Sequence, residues 1–146
     1  MKPVRNTPIL LVDDDEDCRL IIRDCIEESQ VEGDIFEVTS GEEALAFISN
    51  EAPYEDAPRP GLIYLDIDMP GIDGVEVLQS LKEDKKTKDI PVVMLTALDD
   101  EETMLKVAKH GANSYYVKSN DPLRFFETVK RATDLWLNRP DKVAAL

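Results

Sequence analysis

Short apolar runs of strand length alternate along this chain with longer stretches of helical spacing. Residues 9–12, 62–65 and 92–95 are nearly uninterrupted apolar runs, as expected of central strands that helices cover on both faces. Residues 35–38 are more mixed and indicate an edge strand, while residues 114–117 indicate a short final strand. Five strand–helix pairs in this order predict an α/β fold with a doubly wound parallel sheet.

Capping residues mark where the helices of this pattern begin. Ser40 and Asp99 each precede a glutamate by three residues, which is the spacing of a capping box. Asp121 precedes Pro122 and predicts a last helix that reaches about Asn138. Apolar residues at helical spacing follow Asp99: Met104, Leu105 and Ala108. The last helix has a predicted core stripe: Leu123, Phe126, Val129, Ala132 and Trp136.

Composition argues against several classes of function. Acidic residues outnumber basic ones 31 to 17, and the net charge of −14 is the opposite of what a nucleic-acid-binding surface needs. No apolar run approaches the roughly 20 residues of a membrane-spanning helix. The first residues also lack the apolar core of a signal peptide. We therefore expect a cytoplasmic protein with neither a nucleic-acid nor a membrane partner.

The two cysteines and the single histidine offer little chemistry. Cys18 and Cys25 lie seven residues apart in one helical stretch, which would separate their Cα atoms by about 10 Å, too far for a disulfide. We expect two reduced core thiols. A redox or metal pair is the alternative, but neither the spacing nor a neighbouring histidine favours it. His110 is expected at the surface, near a helix end before Gly111, rather than as a ligand or phosphohistidine.

Polar side chains follow the predicted strands at their carboxyl ends. Asp13 and Asp14 follow the first strand, Asp66 the third, Thr96 the fourth and Lys118 the fifth. Right-handed crossovers and the strand order 2-1-3-4-5, the flavodoxin-like (βα)5 arrangement, put the ligand-binding switch point between strands one and three. The three acids should therefore meet there.

Carboxylates crowded within a few ångströms repel one another unless a cation or a proton intervenes. Mg²⁺ prefers oxygen ligands and leaves positions for water and a phosphate oxygen. A carboxylate is a competent nucleophile toward phosphorus, so Asp66 could attack while Thr96 and Lys118 hold the transferred group. No Ser-His-Asp arrangement or glycine-rich phosphate loop competes with this interpretation, and we expect no organic cofactor.

The motifs at these strand ends resemble those of the response-regulator receiver family of two-component signalling. The resemblance covers about residues 8–138 and implies a single receiver domain over residues 1–146 with no output domain. It also implies that the chain is not an enzyme beyond its own aspartyl phosphorylation and dephosphorylation. The segments that carry it are Leu11-Val12-Asp13-Asp14, Leu65-Asp66, Met69-Pro70-Gly71, Asp73-Gly74, Thr96-Ala97 and Val117-Lys118.

The resemblance implies a role for each matching position. Asp66 corresponds to the phosphoacceptor, and Thr96 and Lys118 to the residues that contact the phosphoryl group. Tyr115 corresponds to the aromatic switch residue that moves together with Thr96; the alternative is an aromatic side chain that stays packed in the strand. Mg²⁺ would be held by the following groups: the carboxylates of Asp14 and Asp66, the backbone carbonyl of Asp68 and, through water, Asp13.

Within the family, the proline-containing insert before the third strand and the ending Asp134-Leu135-Trp136-Leu137 are similar to the small receivers paired with bacterial phytochrome kinases. This similarity implies a histidine kinase partner, of the phytochrome type, and a homodimer formed through helix four, strand five and helix five. Three residues lie off the predicted core stripe and could serve that contact, or could pack under the end of the chain: Phe125, Leu135 and Leu137.

Two positions depart from the family pattern or add to it. Ser119 follows Lys118 where the family usually has a proline in a cis bond, so either a strained cis peptide is retained or the loop differs. Asp68 places a second carboxylate two residues after Asp66. We expect it to alter the lifetime of the phosphoryl group, in either direction.

Two rival functions remain open from the sequence. Asp66-Ile67-Asp68 after an apolar strand resembles the nucleophile and acid pair of a haloacid-dehalogenase-type phosphatase, although the order of the metal-binding acids differs. A degenerate receiver that acts only as a binding module is the other alternative, and it is weakened because no pocket residue is missing. Turnover of a phosphate monoester would favour the phosphatase, and failure to bind Mg²⁺ would favour the degenerate receiver.

Overall fold

Strands and helices alternate strictly along the part of the chain that the structure, a computed structural model, describes: residues 7–29 and 33–137. The strands form where the apolar runs predict them. In chain order the elements are β1 (Ile9–Val12), α1 (Glu16–Glu28), β2 (Ile35–Val38), α2 (Gly41–Ile48), β3 (Leu62–Leu65), α3 (Gly74–Glu83), β4 (Val92–Thr96), α4 (Glu101–Lys109), β5 (Ser114–Val117) and α5 (Pro122–Leu137).

All five strands pair in parallel in one sheet of order β2-β1-β3-β4-β5. Ile9 of β1 lies opposite Ile35 of β2 on one side and Leu62 of β3 on the other. This confirms the predicted flavodoxin-like topology, with β2 at an edge and the most apolar strands in the centre. The reversal of strand order after β1 creates the switch point between β1 and β3.

Alternate side chains of each central strand enter two separate core layers. Leu10 and Val12 of β1 pack in the layer that α2, α3 and α4 cover, whereas Ile9 and Leu11 pack in the layer under α1 and α5. All four are at most 1% exposed. The uninterrupted apolar run is therefore explained by burial on both faces.

The caps of the helices agree with the sequence except at α4. Ser40 Oγ accepts a hydrogen bond from the Glu43 nitrogen at 3.1 Å, as predicted for α2. The predicted cap Asp99 is wrong by one residue, because Asp100 caps α4. Its Oδ2 accepts from both the nitrogen and the hydroxyl of Thr103, at 3.0 and 2.7 Å, so this pair stabilises the later start.

The buried stripe of α5 differs from the predicted one. Leu123, a predicted core residue, is 75% exposed, whereas Phe125 and Leu137 are 3% and 7% exposed. These two are therefore core residues and are not available for the dimer contact that the sequence suggested, while Leu135 is exposed. The stripe includes the polar Thr133, which an apolar pattern does not count. The buried residues are Phe125, Val129, Ala132, Thr133 and Leu137.

The apolar residues of α4 do not form a buried face either. Only Val107 of this helix is buried, and Met104 and Leu105 are 42% and 63% exposed. The end of α5 is described to Leu137, so the predicted extension to Asn138 lies outside the described residues. None of the helices in the described ranges is both long enough and apolar enough to cross a membrane.

A buried pair of hydroxyls joins the centre of the sheet to α5. The hydroxyl of Tyr64 on β3 is hydrogen-bonded to Thr133 Oγ1, which also bonds the carbonyl of Val129 at 2.8 Å. Tyr64 is 1% exposed and Thr133 is fully buried. Burial raises the pKa of Tyr64, so its hydroxyl stays protonated at neutral pH and needs an acceptor.

We expect Thr133→Val to lower the free energy of unfolding more than Tyr64→Phe does. The valine leaves the Tyr64 hydroxyl buried without a partner, which costs about 1–3 kcal/mol, whereas the phenylalanine leaves Thr133 bonded to Val129 and costs about 0.5–1.5 kcal/mol. The double variant should cost less than the sum of the two. Urea denaturation measures all three, and strictly additive losses would contradict the coupling.

Candidate functional site

Asp13 lies directly after β1 and is held at each of its polar atoms. Its nitrogen donates to the Val38 carbonyl at 3.2 Å, which extends the pairing with β2 by one residue. Its Oδ1 accepts from the Asp15 nitrogen at 2.9 Å, and its Oδ2 accepts from Lys118 Nζ at 2.7 Å. The residue is 3% exposed. Its carboxylate is therefore fixed in one orientation.

Asp66 follows β3 and lies beside Asp13 because β1 and β3 are neighbours. Its nitrogen donates to the Val12 carbonyl at 3.0 Å, and the residue is 5% exposed. Its Oδ1 accepts from the Asp68 nitrogen and its Oδ2 from Lys118 Nζ, each at 3.3 Å. The Asp66 carboxylate thus lies at the carboxyl end of β3, between the Asp68 amide and the Lys118 ammonium group.

Gly74, the first residue of α3, allows that helix to start against the backbone of Asp66. A Cβ at this position would lie 2.1 Å from the Asp66 carbonyl oxygen and 2.7 Å from the Ile67 Cα. Both are backbone atoms that cannot move without moving the site. A glycine is therefore required for the close approach that the geometry of Asp66 depends on.

Three carboxylates meet at this edge of the sheet. Asp13, Asp14 and Asp66 each offer an oxygen, and these oxygens lie within 4.8 Å of one another. Against these three negative charges Lys118 supplies one positive charge, so the cluster is net negative. Carboxylate oxygens are the ligands that Mg²⁺ and similar hard cations prefer. The donor set therefore fits a divalent cation.

Burial and their ion pair together shift the pKa values of Asp13 and Lys118. Burial raises the pKa of Asp13, and Lys118 offsets this only in part. Burial alone would lower the pKa of Lys118, but its hydrogen bond and attraction to Asp13, with a further contribution from Asp66, hold it above its ordinary value. Burial therefore dominates at Asp13 and the ion pair dominates at Lys118, which stays protonated at neutral pH.

The cluster opens into a cleft of about 590 Å³ between the first turns of α1 and α5. Its lining includes the charged side chains of Asp14, Asp66 and Lys118 and the apolar side chains of Ile21 and Phe125. Asp68 is exposed and also lines the cleft, as the sequence suggested for a residue beside the phosphoacceptor position. A reactant at Asp66 would therefore share the cleft with both charged and apolar groups.

Thr96 and Tyr115 do not line this cleft; they are joined through the loop after β4. Thr96 is fully buried, and its hydroxyl accepts from the Leu98 nitrogen at 3.3 Å. Tyr115 is half-buried, and its hydroxyl donates to the carbonyl of Leu98. One loop residue therefore contacts both predicted switch positions. The sequence carried no signal for Leu98.

The structure answers whether the peptide bond between Lys118 and Ser119 is cis. Among the described residues the cis peptide is Ala52–Pro53, and the Lys118–Ser119 bond is trans. Ser119 Oγ instead accepts from the Asp121 nitrogen at 3.1 Å. The loop after β5 therefore differs from the proline-containing form and is closed by a serine side chain.

The two cysteines and the single histidine are the remaining residues that the sequence analysis singled out. Both cysteines are free; Cys25 is buried as predicted, but Cys18 is half-buried and lines the cleft. Burial raises the pKa of each thiol to about 12, so neither is a thiolate at neutral pH. His110 caps the C-terminus of α4 before Gly111, whose φ of 92° ends the helix as predicted.

Comparison with known proteins agrees with this geometry. A family model described as the response regulator receiver domain matches residues 9–130. The chain belongs to this receiver family. A curated relative, response regulator Rcp1 of Synechocystis sp., is 33% identical over 129 residues that span 88% of each chain. The family predicted from the strand-end motifs is therefore confirmed, and neither rival function is favoured.

Solved structures extend the agreement to the whole fold of the receiver. The phosphorylated cyanobacterial phytochrome response regulator RcpA superposes with a TM-score of 0.87 at 33% identity, over 90% of this chain and 94% of that one. The Mn²⁺-bound form of response regulator Rcp1 gives the same TM-score and coverage at 32% identity. Both are similar in fold over nearly their full length.

Proposed function

We propose that this receiver accepts a phosphoryl group on Asp66 from the phosphohistidine of a histidine kinase. A carboxylate oxygen of Asp66 forms the new bond to phosphorus as the phosphorus–nitrogen bond breaks, and the electron pair leaves with the imidazole. The observation that carries the proposal is the position of the Asp66 carboxylate, in an open cleft beside Lys118 and two further carboxylates. The net negative cluster requires a cation before a phosphoryl group can approach.

Mg²⁺ is the cofactor that we assign to this cluster. Asp14 and Asp66 would hold it directly, together with the backbone carbonyl of Asp68. Asp13 would act through water, since its carboxylate oxygens accept shorter hydrogen bonds, at 2.9 and 2.7 Å, than those of Asp66, at 3.3 Å each. When bound, Mg²⁺ supplies positive charge that neutralises the oxygens of the transferred group. The hard oxygen donors of these residues support this choice over softer metals.

Lys118 and Thr96 are assigned to the phosphoryl oxygens, and Tyr115 to the response. The ammonium of Lys118 lies 3.3 Å from Asp66 Oδ2, close enough to pair with a phosphoryl group on that carboxylate. A hydroxyl of Thr96 that turned toward the phosphoryl group would release the Leu98 nitrogen. Because Tyr115 holds the carbonyl of the same residue, the loop before α4 would rearrange with it.

The partners follow from the family and from the exposed surface. We infer a cytoplasmic receiver whose chemistry is limited to its own phosphorylation and dephosphorylation, with the receiver domain over the matched residues 9–130. Its kinase would be of the phytochrome type, in keeping with the name of RcpA. A homodimer through α4, β5 and α5 is supported by apolar side chains exposed there, namely those of Met104, Leu105, Val117 and Leu123.

Incubation with acetyl phosphate and Mg²⁺, followed by intact mass spectrometry, tests the proposed function. We expect each chain to gain the mass of one phosphoryl group, and to gain none when EDTA removes the metal. Steady turnover of a phosphate monoester would instead indicate a phosphatase. An unlabelled chain under saturating Mg²⁺ would overturn the proposal.

Asp68→Asn should change the lifetime of the acyl phosphate at Asp66. The side chain is exposed in the same cleft and adds a negative charge two residues from the phosphoryl group, where it can repel or orient an attacking water. The measurement is the decay of labelled protein after removal of acetyl phosphate. Asp89→Asn, which changes an exposed carboxylate outside the cleft, is the control. Equal decay in the parent and Asp68→Asn would contradict the prediction.

A further inference from the structure

Arg19 lies in the first part of α1 and joins three elements of the fold. Its Nη1 donates to the backbone carbonyl of Asp13 at 2.7 Å, and its Nε donates to Oε1 of Glu37 on β2 at 2.9 Å. Its side chain is 13% exposed. The guanidinium group therefore connects the end of β1 to β2, the edge strand of the sheet.

The carbonyl that Arg19 holds belongs to the peptide unit between Asp13 and Asp14. Because this unit is planar, the direction of the carbonyl also sets the plane that contains the Asp14 nitrogen and Cα. The direction of the Asp14 side chain depends on that plane. Fixing the Asp13 carbonyl therefore restricts the orientations that the Asp14 carboxylate can take.

Asp14 needs such a restraint more than its neighbours do. Asp13 and Asp66 are buried, and their carboxylates accept hydrogen bonds from backbone amides and from Lys118. Asp14 is exposed, and its carboxylate accepts no hydrogen bond from residues 7–29 and 33–137. Its orientation toward the cluster is thus determined through its backbone.

We propose that Arg19 is a positioning residue of the metal site, which holds the Asp14 carboxylate in place by fixing the Asp13–Asp14 peptide. The proposal rests on the proposed function, in which Asp14 and Asp66 bind Mg²⁺. Side chains that orient metal ligands without touching the metal typically contribute about 10- to 100-fold to affinity. Arg19 reaches the ligand through its backbone rather than through its side chain.

The direction in which the Mg²⁺ affinity changes when Arg19 is removed distinguishes positioning from simple electrostatics. Arg19 carries a positive charge near the acidic cluster, so removing that charge alone would strengthen the binding of a dication. If Arg19 acts by positioning, its removal weakens binding instead. Arg23 is a matched control, since it lies one turn further along α1 and donates to the same Glu37 carboxylate, at 3.1 Å from its Nε, without contacting Asp13.

The experiment is isothermal titration of Mg²⁺ into the parent, Arg19→Gln and Arg23→Gln proteins. We expect Arg19→Gln to bind Mg²⁺ about tenfold more weakly than the parent, and Arg23→Gln to bind within about twofold of it. Labelling by acetyl phosphate should distinguish the two variants in the same way. Arg19→Gln should need a higher Mg²⁺ concentration than Arg23→Gln but reach the parental maximal rate once Mg²⁺ saturates. Equal or tighter binding by Arg19→Gln would overturn the positioning role.

A second pair of variants covers the case in which Arg19→Gln does not fold. Arg19→Lys keeps the charge but cannot bridge Asp13 and Glu37 with one rigid group, so it should bind Mg²⁺ more weakly than Arg23→Lys. Equal affinities for that pair would contradict the proposal. A parent that binds no Mg²⁺ would instead overturn the proposed function itself, so the two failures are distinguishable.

Discussion

The Asp66→Asn variant is expected to gain no phosphoryl group from acetyl phosphate and Mg²⁺, whereas the parent gains one. The asparagine keeps the size and shape of the side chain, and its oxygen can still accept the hydrogen bond from the Asp68 nitrogen. What it lacks is the negative charge that makes a carboxylate oxygen nucleophilic toward phosphorus. Intact mass spectrometry of both proteins under identical conditions measures the difference.

The loss of phosphoryl labelling should be specific to the Asp66 carboxylate. Asp13 is also buried in the cluster, but its two oxygens accept shorter hydrogen bonds, at 2.9 and 2.7 Å, than the two of Asp66, at 3.3 Å each, and are therefore held more firmly away from attack. Asp89→Asn, which removes a carboxylate outside the cleft, should leave labelling at the parental level. The thermal unfolding of Asp66→Asn would show whether the fold is intact. A variant that is folded and still labelled to the parental extent would mean that another residue is the acceptor.

Lys118→Met is expected to act in opposite directions on two measurements. The ammonium group lies 2.7 Å from Asp13 Oδ2 and 3.3 Å from Asp66 Oδ2, where it repels a dication that approaches the same oxygens. A residual repulsion of about 1.4 kcal/mol is enough for a tenfold change, so Mg²⁺ should bind at least about tenfold more tightly to the variant. Labelling should nevertheless become at least about tenfold slower, because the phosphoryl oxygens lose a positive partner.

The same substitution should make stability depend on the metal. Removing one partner of a buried ion pair typically costs about 3–5 kcal/mol, since Asp13 and Asp66 are left without a counter-charge. Mg²⁺ can replace that charge, and binding at a free Mg²⁺ concentration c stabilises the folded state by RT ln(1 + c/Kd), which grows as binding tightens. We therefore expect Mg²⁺ to raise the melting temperature of Lys118→Met by more than that of the parent.

Lys82→Met provides the control for this comparison. Lys82 is also a partly buried lysine, but it donates to the carbonyls of Lys88 and Ile90 and to Asn113 Oδ1, at the opposite end of the sheet. Its removal should destabilise the fold without changing the effect of Mg²⁺. An equal Mg²⁺ response in Lys118→Met and Lys82→Met would contradict the assigned role of Lys118.

The candidate site positions at the carboxyl ends of the strands could be predicted because they depend on local patterns combined with one topological rule. An apolar run that ends in Asp66 or Lys118 identifies both a strand and its carboxyl end. Parallel strands bring those ends to one edge, whatever the details of packing. The predicted meeting of Asp13, Asp14 and Asp66 within 4.8 Å is therefore confirmed.

The phase of α5 could not be predicted in the same way. Each residue turns a helix by about 100°, so an error of one residue moves a side chain from the core to the surface. The apolar pattern included Leu123 because it lies three residues before Phe126, and it had no reason to include Thr133. In the tertiary structure the Tyr64 hydroxyl gives Thr133 a buried partner, and Phe125 rather than Leu123 is buried.

The sequence by itself determined the order of the strands and the identity of the acids, the hydroxyl and the lysine at their ends, because these follow from residue type and local spacing. Only the tertiary structure decided which other residues contact these site residues and restrict their positions. Leu98 joins Thr96 to Tyr115, and Arg19 contacts the Asp13 carbonyl from α1. Such contacts depend on side-chain directions between separate elements, which no local pattern encodes.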